Sequence, residues 1–166
     1  MSLPRHFSFT VNDDGRSMRV EREFDAPLDL VWSAWTTAEL LDQWWAPKPY
    51  KTITKSMDFR EGGQWLYYML SPEGETHWCL NNYITIQPHR EFTSLDAFCN
   101  EEGEINMDFP RANWHASFAQ SGERTLVTIV TTYEKKEDLE AVLTMGMQEG
   151  FTMALNNLDE VLATLQ

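Results

Sequence analysis

Residues able to do chemistry are few in this chain, and they are scattered. His77 and Cys79 stand two apart, on one face of any strand that carries them, while His89, Cys99 and His115 lie on other segments. None of these intervals is a metal-ligand spacing, so no metal centre is expected. No serine sits in a nucleophile-elbow motif, and no glycine-rich loop opens a helix to cradle a phosphate. The paired carboxylates Asp13-Asp14 and Glu101-Glu102 fall in turn compositions, where they read as solvated tips. The inventory predicts no catalytic residue and no cofactor.

In place of a reactive constellation there is aromatic surface opposite small residues. Period-two alternation after Gly63 puts Trp65, Tyr67 and Met69 on one face. The same alternation gives Trp78, Leu80, Asn82, Ile84 and Ile86 a common face, and Trp114, Ala116 and Phe118 another. Near the C-terminus Gly146, Gly150 and Ala154 recur at every fourth position, so one stripe of a helix there carries almost no side chain. Two readings stay open on these residues: tryptophans packed directly on a bare helix backbone, or a pocket walled by aromatics and floored by glycine. Tyr67 and Asn82, with His115 or Asp96, are the polar groups expected to reach such a pocket. Asn82 also has a purely structural reading, as a hydrogen-bonded amide at a bulge or strand edge.

Several elements must position these groups. Strand-like runs at about 5–12 and 17–24 flank Asp13-Asp14-Gly15, a hairpin signal because Asp and Gly tolerate positive φ. After Pro27 the positions Leu28, Val31, Trp32 and Trp35 follow the three-and-four spacing of a helix face. A second short helix is expected to start with Thr36 and Glu39 as a capping box and to end at Pro47 and Pro49. Six further strands, at about 52–58, 64–70, 76–87, 91–99, 111–120 and 124–134, are separated by turn compositions, most of them short enough for hairpins. The last stretch, about 136–165, keeps one face apolar or small and reads as helix with a break point at Gly146. Strands, two small helices, an antiparallel meander and a long terminal helix predict an α+β domain spanning residues 1–166, without linker or repeat.

Composition narrows the function classes. The chain has 166 residues, with 26 acidic and 13 basic side chains and a net charge of −13, so it repels nucleic acid and anionic membranes at long range. Two cysteines, Cys79 and Cys99, build no disulfide framework, and the N-terminus has no signal-like core, which predicts free thiols and a cytoplasmic setting. No apolar run approaches the ~20 residues of a membrane span.

Three motifs carry a family resemblance. They are Arg22–Pro27 leading through Val31–Thr36 to Trp44-Trp45-Ala46-Pro47; Arg60-Glu61-Gly62-Gly63-Gln64-Trp65; and Gly146-Met147-Gln148-Glu149-Gly150-Phe151. Over most of its length the chain resembles homologues of the activator of the heat-shock chaperone ATPase, within the START-related SRPBCC superfamily. The resemblance implies a helix-grip fold, in which a curved antiparallel sheet wraps around a long C-terminal helix. It also implies a cavity between sheet and helix, which members of the superfamily use for lipids, sterols, polyketides or plant hormones.

From the pattern and the resemblance together, the expected ligand-binding residues are Trp65, Tyr67, Trp78, Asn82, Trp114, Met147, Gly150 and Phe151. The resemblance places one of Trp44 and Trp45 beneath the helix pair and the other at the cavity mouth, as structural packing or as a gate or docking site. The expected partner is a small apolar ligand; a homodimer or a protein partner is the alternative. A polyketide cyclase-like enzyme, with Tyr67, Asn82 or His115 polarising a carbonyl, and a chaperone-regulating interaction domain are the competing functional readings.

Overall fold

The computed structural model describes residues 5–166; Met1–Pro4, included in the single-domain expectation, lie outside the described residues. A tight turn opens the fold between β1 (Phe7–Val11) and β2 (Ser17–Phe24). In it, Asp14 Oδ1 accepts the backbone N–H groups of Arg16 (3.0 Å) and Ser17 (3.1 Å), and these bonds hold its carboxyl below the usual aspartate range.

Helix α1 (Leu28–Thr36) and helix α2 (Ala38–Trp44) follow, joined by one extended residue, Thr37. The expected capping box at Thr36 and Glu39 does not form. Thr36 is the last residue of α1 and its hydroxyl donates back to the Trp32 carbonyl (2.8 Å), so the helix start shifts to Thr37. The Trp44 indole N–H donates to the Ala34 carbonyl (2.9 Å) and its ring packs edge-on to Trp35, which locks α2 against α1.

The meander runs through β3 (Lys51–Met57), β4 (Gln64–Leu70), β5 (Thr76–Gln87), β6 (Glu91–Phe98), β7 (Ala112–Ser121) and β8 (Arg124–Tyr133). All pairs are antiparallel, and the eight strands stand in the order β1-β2-β8-β7-β6-β5-β4-β3 in one curved sheet. The turn between β3 and β4 has no room for a side chain at Gly63, where an added Cβ would lie 2.1 Å from the Asp58 carbonyl oxygen. That glycine in the Arg60–Trp65 motif is a steric requirement.

Helix α3 (Lys136–Thr144) and helix α4 (Met147–Thr164) complete the chain. They are separated at Gly146, whose φ of 95° is left-handed and ends the first helix. Helix α4 packs Phe151, Ala154, Leu155, Leu158 and Leu162 into a core shared with Val20, Phe24, Trp65, Phe118 and Ile129 of the sheet. A sheet gripping its C-terminal helix, an α+β helix-grip architecture, is thus the fold. No helix among the described residues is long and apolar enough to cross a membrane.

Strand β5 departs from the expected facing. Tyr67 pairs with Cys79 and Tyr68 with Trp78, so Cys79, Asn81 and Tyr83 share the helix-facing side while Trp78, Leu80 and Asn82 point outward. A bulge between Tyr83 and Thr85 then changes the phase: Ile84 is 47% exposed, whereas Ile86 joins the core. The outer face is itself covered. Gly103 sits over Leu66, and Lys55 donates to the Glu101 carbonyl while its ammonium lies over the Trp78 ring.

Candidate functional site

Between the inner sheet face and α4 lies a cavity of ≈ 350 Å³. Its floor on the helix side is Gly146, Gly150 and Ala154, with Met147 and Phe151 beside them. A Cβ on Gly150 would find its nearest neighbour, Pro47 Cγ, at 3.8 Å, an ordinary contact with space beyond. The glycine stripe therefore faces a hollow; the tryptophans do not pack down upon it. Strands β4 to β8 supply the opposite wall through Tyr67, Cys79, Asp96, Trp114 and Tyr133. Met145, 63% exposed, and the exposed Phe98 mark the mouth.

The remaining wall is the Trp44–Pro47 segment, held in place by a residue the sequence patterns did not single out. Asn157 is buried on α4, and its amide donates to the Ala46 carbonyl (3.0 Å) and, more distantly, to that of Trp44 (3.5 Å). These are carbonyls at the end of α2 that no helical partner can satisfy. With the segment so anchored, Trp44 points into the core, and Trp45 lines the cavity with its indole N–H donating to the Tyr67 hydroxyl (3.0 Å).

Trp65 stands behind the cavity wall. Its ring stacks on Tyr67 (centroids 3.9 Å apart), and its indole N–H donates to the Thr54 hydroxyl (3.0 Å), which in turn donates to Asp42 (2.6 Å). Burial raises the Asp42 carboxyl above its ordinary range, against the Thr54 bond that favours the charged form.

The structure thus brings Tyr67, Trp114, Met147, Gly150, Phe151 and Trp45 together around the cavity. Trp78 and Asn82 are not among its lining: Trp78 packs on Tyr68 at 4.6 Å, and the Asn82 amide oxygen accepts from Arg111 (2.6 Å), both on the outer face. His115, the neighbour of inward-facing Trp114 on β7, lies with its ring near Glu91 (3.3 Å) and does not line the cavity either.

Tyr67, Cys79 and Asp96 meet inside, and Tyr133 also lines the space. Tyr67 and Cys79 are within hydrogen-bonding reach of each other, and burial pushes the phenol well above its usual range and the thiol up to about 12. Asp96 accepts the Ala112 backbone N–H and the Trp114 indole N–H, both at 2.7 Å. Its carboxyl is nevertheless raised, because desolvation outweighs those two bonds and the more remote pull of Arg111. A sign of Asp96 was available in the sequence: it is the one charged residue on the face that also carries Phe92, Ser94 and Phe98. Cys79, Cys99 and the histidines do not gather; no cluster of metal-ligating side chains occurs among the described residues, and both cysteines are free thiols.

A family model described as Activator of Hsp90 ATPase homolog 1-like protein matches residues 25–163. No curated protein sequence matches the chain. Among solved structures, protein Ms6760 from Mycobacterium smegmatis is 28% identical with a TM-score of 0.86, over 96% of this chain and 97% of that one. A protein from Arthrobacter aurescens is 27% identical with a TM-score of 0.89, over 95% and 91%. Protein NE0264 from Nitrosomonas europaea, 22% identical, shares the fold with a TM-score of 0.81, over 92% and 97%. With three motifs, a helix-grip fold and a matched segment that spans most of its length, this chain belongs to the family of Activator of Hsp90 ATPase homolog 1-like proteins.

Proposed function

We propose that this protein is a binding module for a small, largely apolar molecule held between the sheet and α4. One observation carries the reading: the hollow of ≈ 350 Å³ coincides with the helix stripe that lacks side chains, at Gly146 and Gly150. Such a volume lies within the range of small-molecule sites, and apolar walls with a few polar handles are their usual build. Trp45, Tyr67, Trp114, Met147 and Phe151 form the wall that would contact the ligand, and Trp65 backs Tyr67. Catalysis has less support, because burial leaves the Cys79 thiol protonated at neutral pH and holds the Tyr67 phenol away from acid–base work. We take a small molecule, and not a chaperone, as the primary partner, and with two free thiols and no membrane-crossing helix among the described residues we place the protein in the cytoplasm.

Titration with the neutral fluorophore N-phenyl-1-naphthylamine tests this reading on the parent protein and on Gly150→Leu. The added side chain enters empty space, and replacing a helix-interior glycine by a better helix former contributes about 0.5–1 kcal/mol. The expected result is saturable binding to the parent, lost in a variant whose urea midpoint holds or rises. Absence of binding to the parent, together with a lower midpoint for Gly150→Leu, would refute the proposal.

A further inference from the structure

Asp96 is the single formally charged side chain among the described residues lining the cavity. Its two oxygens accept from neutral donors, the Ala112 amide and the Trp114 indole, and each keeps further acceptor capacity. No cationic side chain among the described residues pairs with it: Arg111, the nearest candidate, spends its guanidinium on the Asp96 and Leu95 carbonyls and on Asn82 of the outer face. The carboxylate therefore faces an apolar hollow with no cation bonded to it and only the remote pull of Arg111, which is costly to the empty protein.

The surrounding wall suits the missing charge. The rings of Trp45, Trp114 and Phe151 form a mutually packed trio, with centroids 5.9, 6.1 and 5.6 Å apart. Aromatic faces attract cations, and desolvation strengthens that attraction. The net charge of −13 draws cations toward the molecule from a distance.

Resting on the reading of this cavity as a ligand site, we propose that its ligand is an organic cation: a protonated amine or alkylammonium headgroup seated against Asp96, its hydrocarbon body between Trp45, Trp114, Phe151 and the glycine floor of α4. The pH response separates this from the opposite scheme, a neutral carbonyl ligand accepting a hydrogen bond from protonated Asp96. Asp96 sits above the ordinary aspartate range, so a cation binds more tightly as pH rises through that raised value, and a carbonyl ligand more tightly as pH falls. The other titratable groups lining the cavity are Tyr67 of β4, Cys79 of β5 and Tyr133 of β8. All three are pushed upward and stay neutral over about pH 4–8. The lining residues of α3 and α4 carry no titratable group. Arg111 lies behind the sheet, bonded to Asn82 of the outer face.

Phenyltrimethylammonium and its uncharged isostere tert-butylbenzene differ in charge and scarcely in shape, and the permanent charge keeps ligand titration out of the result. Both are measured by displacement of N-phenyl-1-naphthylamine. The parent protein is expected to prefer the cation by at least about tenfold, increasingly so from pH 4 to 8. Asp96→Asn is expected to abolish the preference while tert-butylbenzene binding is retained. Should that variant fail to fold, the isostere ratio and pH trend of the parent decide alone. Equal or tighter binding of tert-butylbenzene, a cation affinity that rises as pH falls, or failure of the cation to displace the fluorophore would overturn the proposal and leave the cavity reading standing. Failure of the fluorophore itself to bind would remove both.

Discussion

Replacing Asn157 tests how the cavity wall is held. In Asn157→Leu the side chain keeps its approximate shape and loses both donors, which strands the Ala46 carbonyl, an acceptor at 3.0 Å, and removes the longer bond to the Trp44 carbonyl at 3.5 Å. A buried acceptor left without a partner costs about 1–3 kcal/mol, and for a domain of this size each kcal/mol lowers Tm by roughly 2–4 °C. Asn157→Asp is more diagnostic, because an ionised carboxylate would face the two carbonyls and only the protonated acid can donate to them. Its folded-state pKa is therefore raised above the unfolded value of about 3.9. By linkage the variant lies nearest wild type below about pH 3.9, loses stability relative to wild type as pH rises, and levels off once the folded carboxyl has ionised. Urea unfolding of wild type and the two variants from pH 3 to 8 measures this. A pH-independent difference between Asn157→Asp and wild type, or a leucine variant as stable as wild type, would refute the anchoring role.

Two further outcomes follow from the geometry. Gly63→Ala places a Cβ 2.1 Å from the Asp58 carbonyl, so the β3–β4 turn must move; a loss of about 3 kcal/mol in urea unfolding is expected, and an unchanged midpoint would show the turn to be soft. Iodoacetamide should modify Cys99 before Cys79 in the native protein at pH 8, since burial pushes the Cys79 thiol up to about 12 and the thiolate is the nucleophile. Peptide mass spectrometry reads the order, and faster labelling of Cys79 would contradict its placement inside the cavity.

Much of the architecture was legible because local signals and the fold agree. Asp13-Asp14-Gly15 marked a hairpin that Asp14 does close, and Gly146, read as a break point, divides α3 from α4 with its left-handed φ. The glycine stripe of α4 was visible as spacing, although only three-dimensional packing decides between a hollow and a bare contact. The facing of β5 was not legible, because alternation identifies a face by its apolarity and both faces of β5 are covered: one by α4 across the cavity, the other by the segment around Gly103. Trp78 and Leu80 outweigh Cys79 and Asn81 in apolarity, so the pattern favoured the outer side. The helix start at Thr37 was missed because Thr36 spends its hydroxyl inside α1. Asn157 gave no pattern of its own, since one amide within an apolar helix face does not name the carbonyls it meets.

On the proposed function, a small apolar molecule occupies the space between Tyr67, Trp114 and Gly150. Intermolecular nuclear Overhauser effects in a complex with N-phenyl-1-naphthylamine test it most directly. Contacts are expected from the naphthyl protons to the Gly150 Hα, the Met147 methyl and the indoles of Trp45 and Trp114. Contacts confined to the outer face, at Trp78 and Tyr68, or none at all under saturating fluorophore, would contradict it.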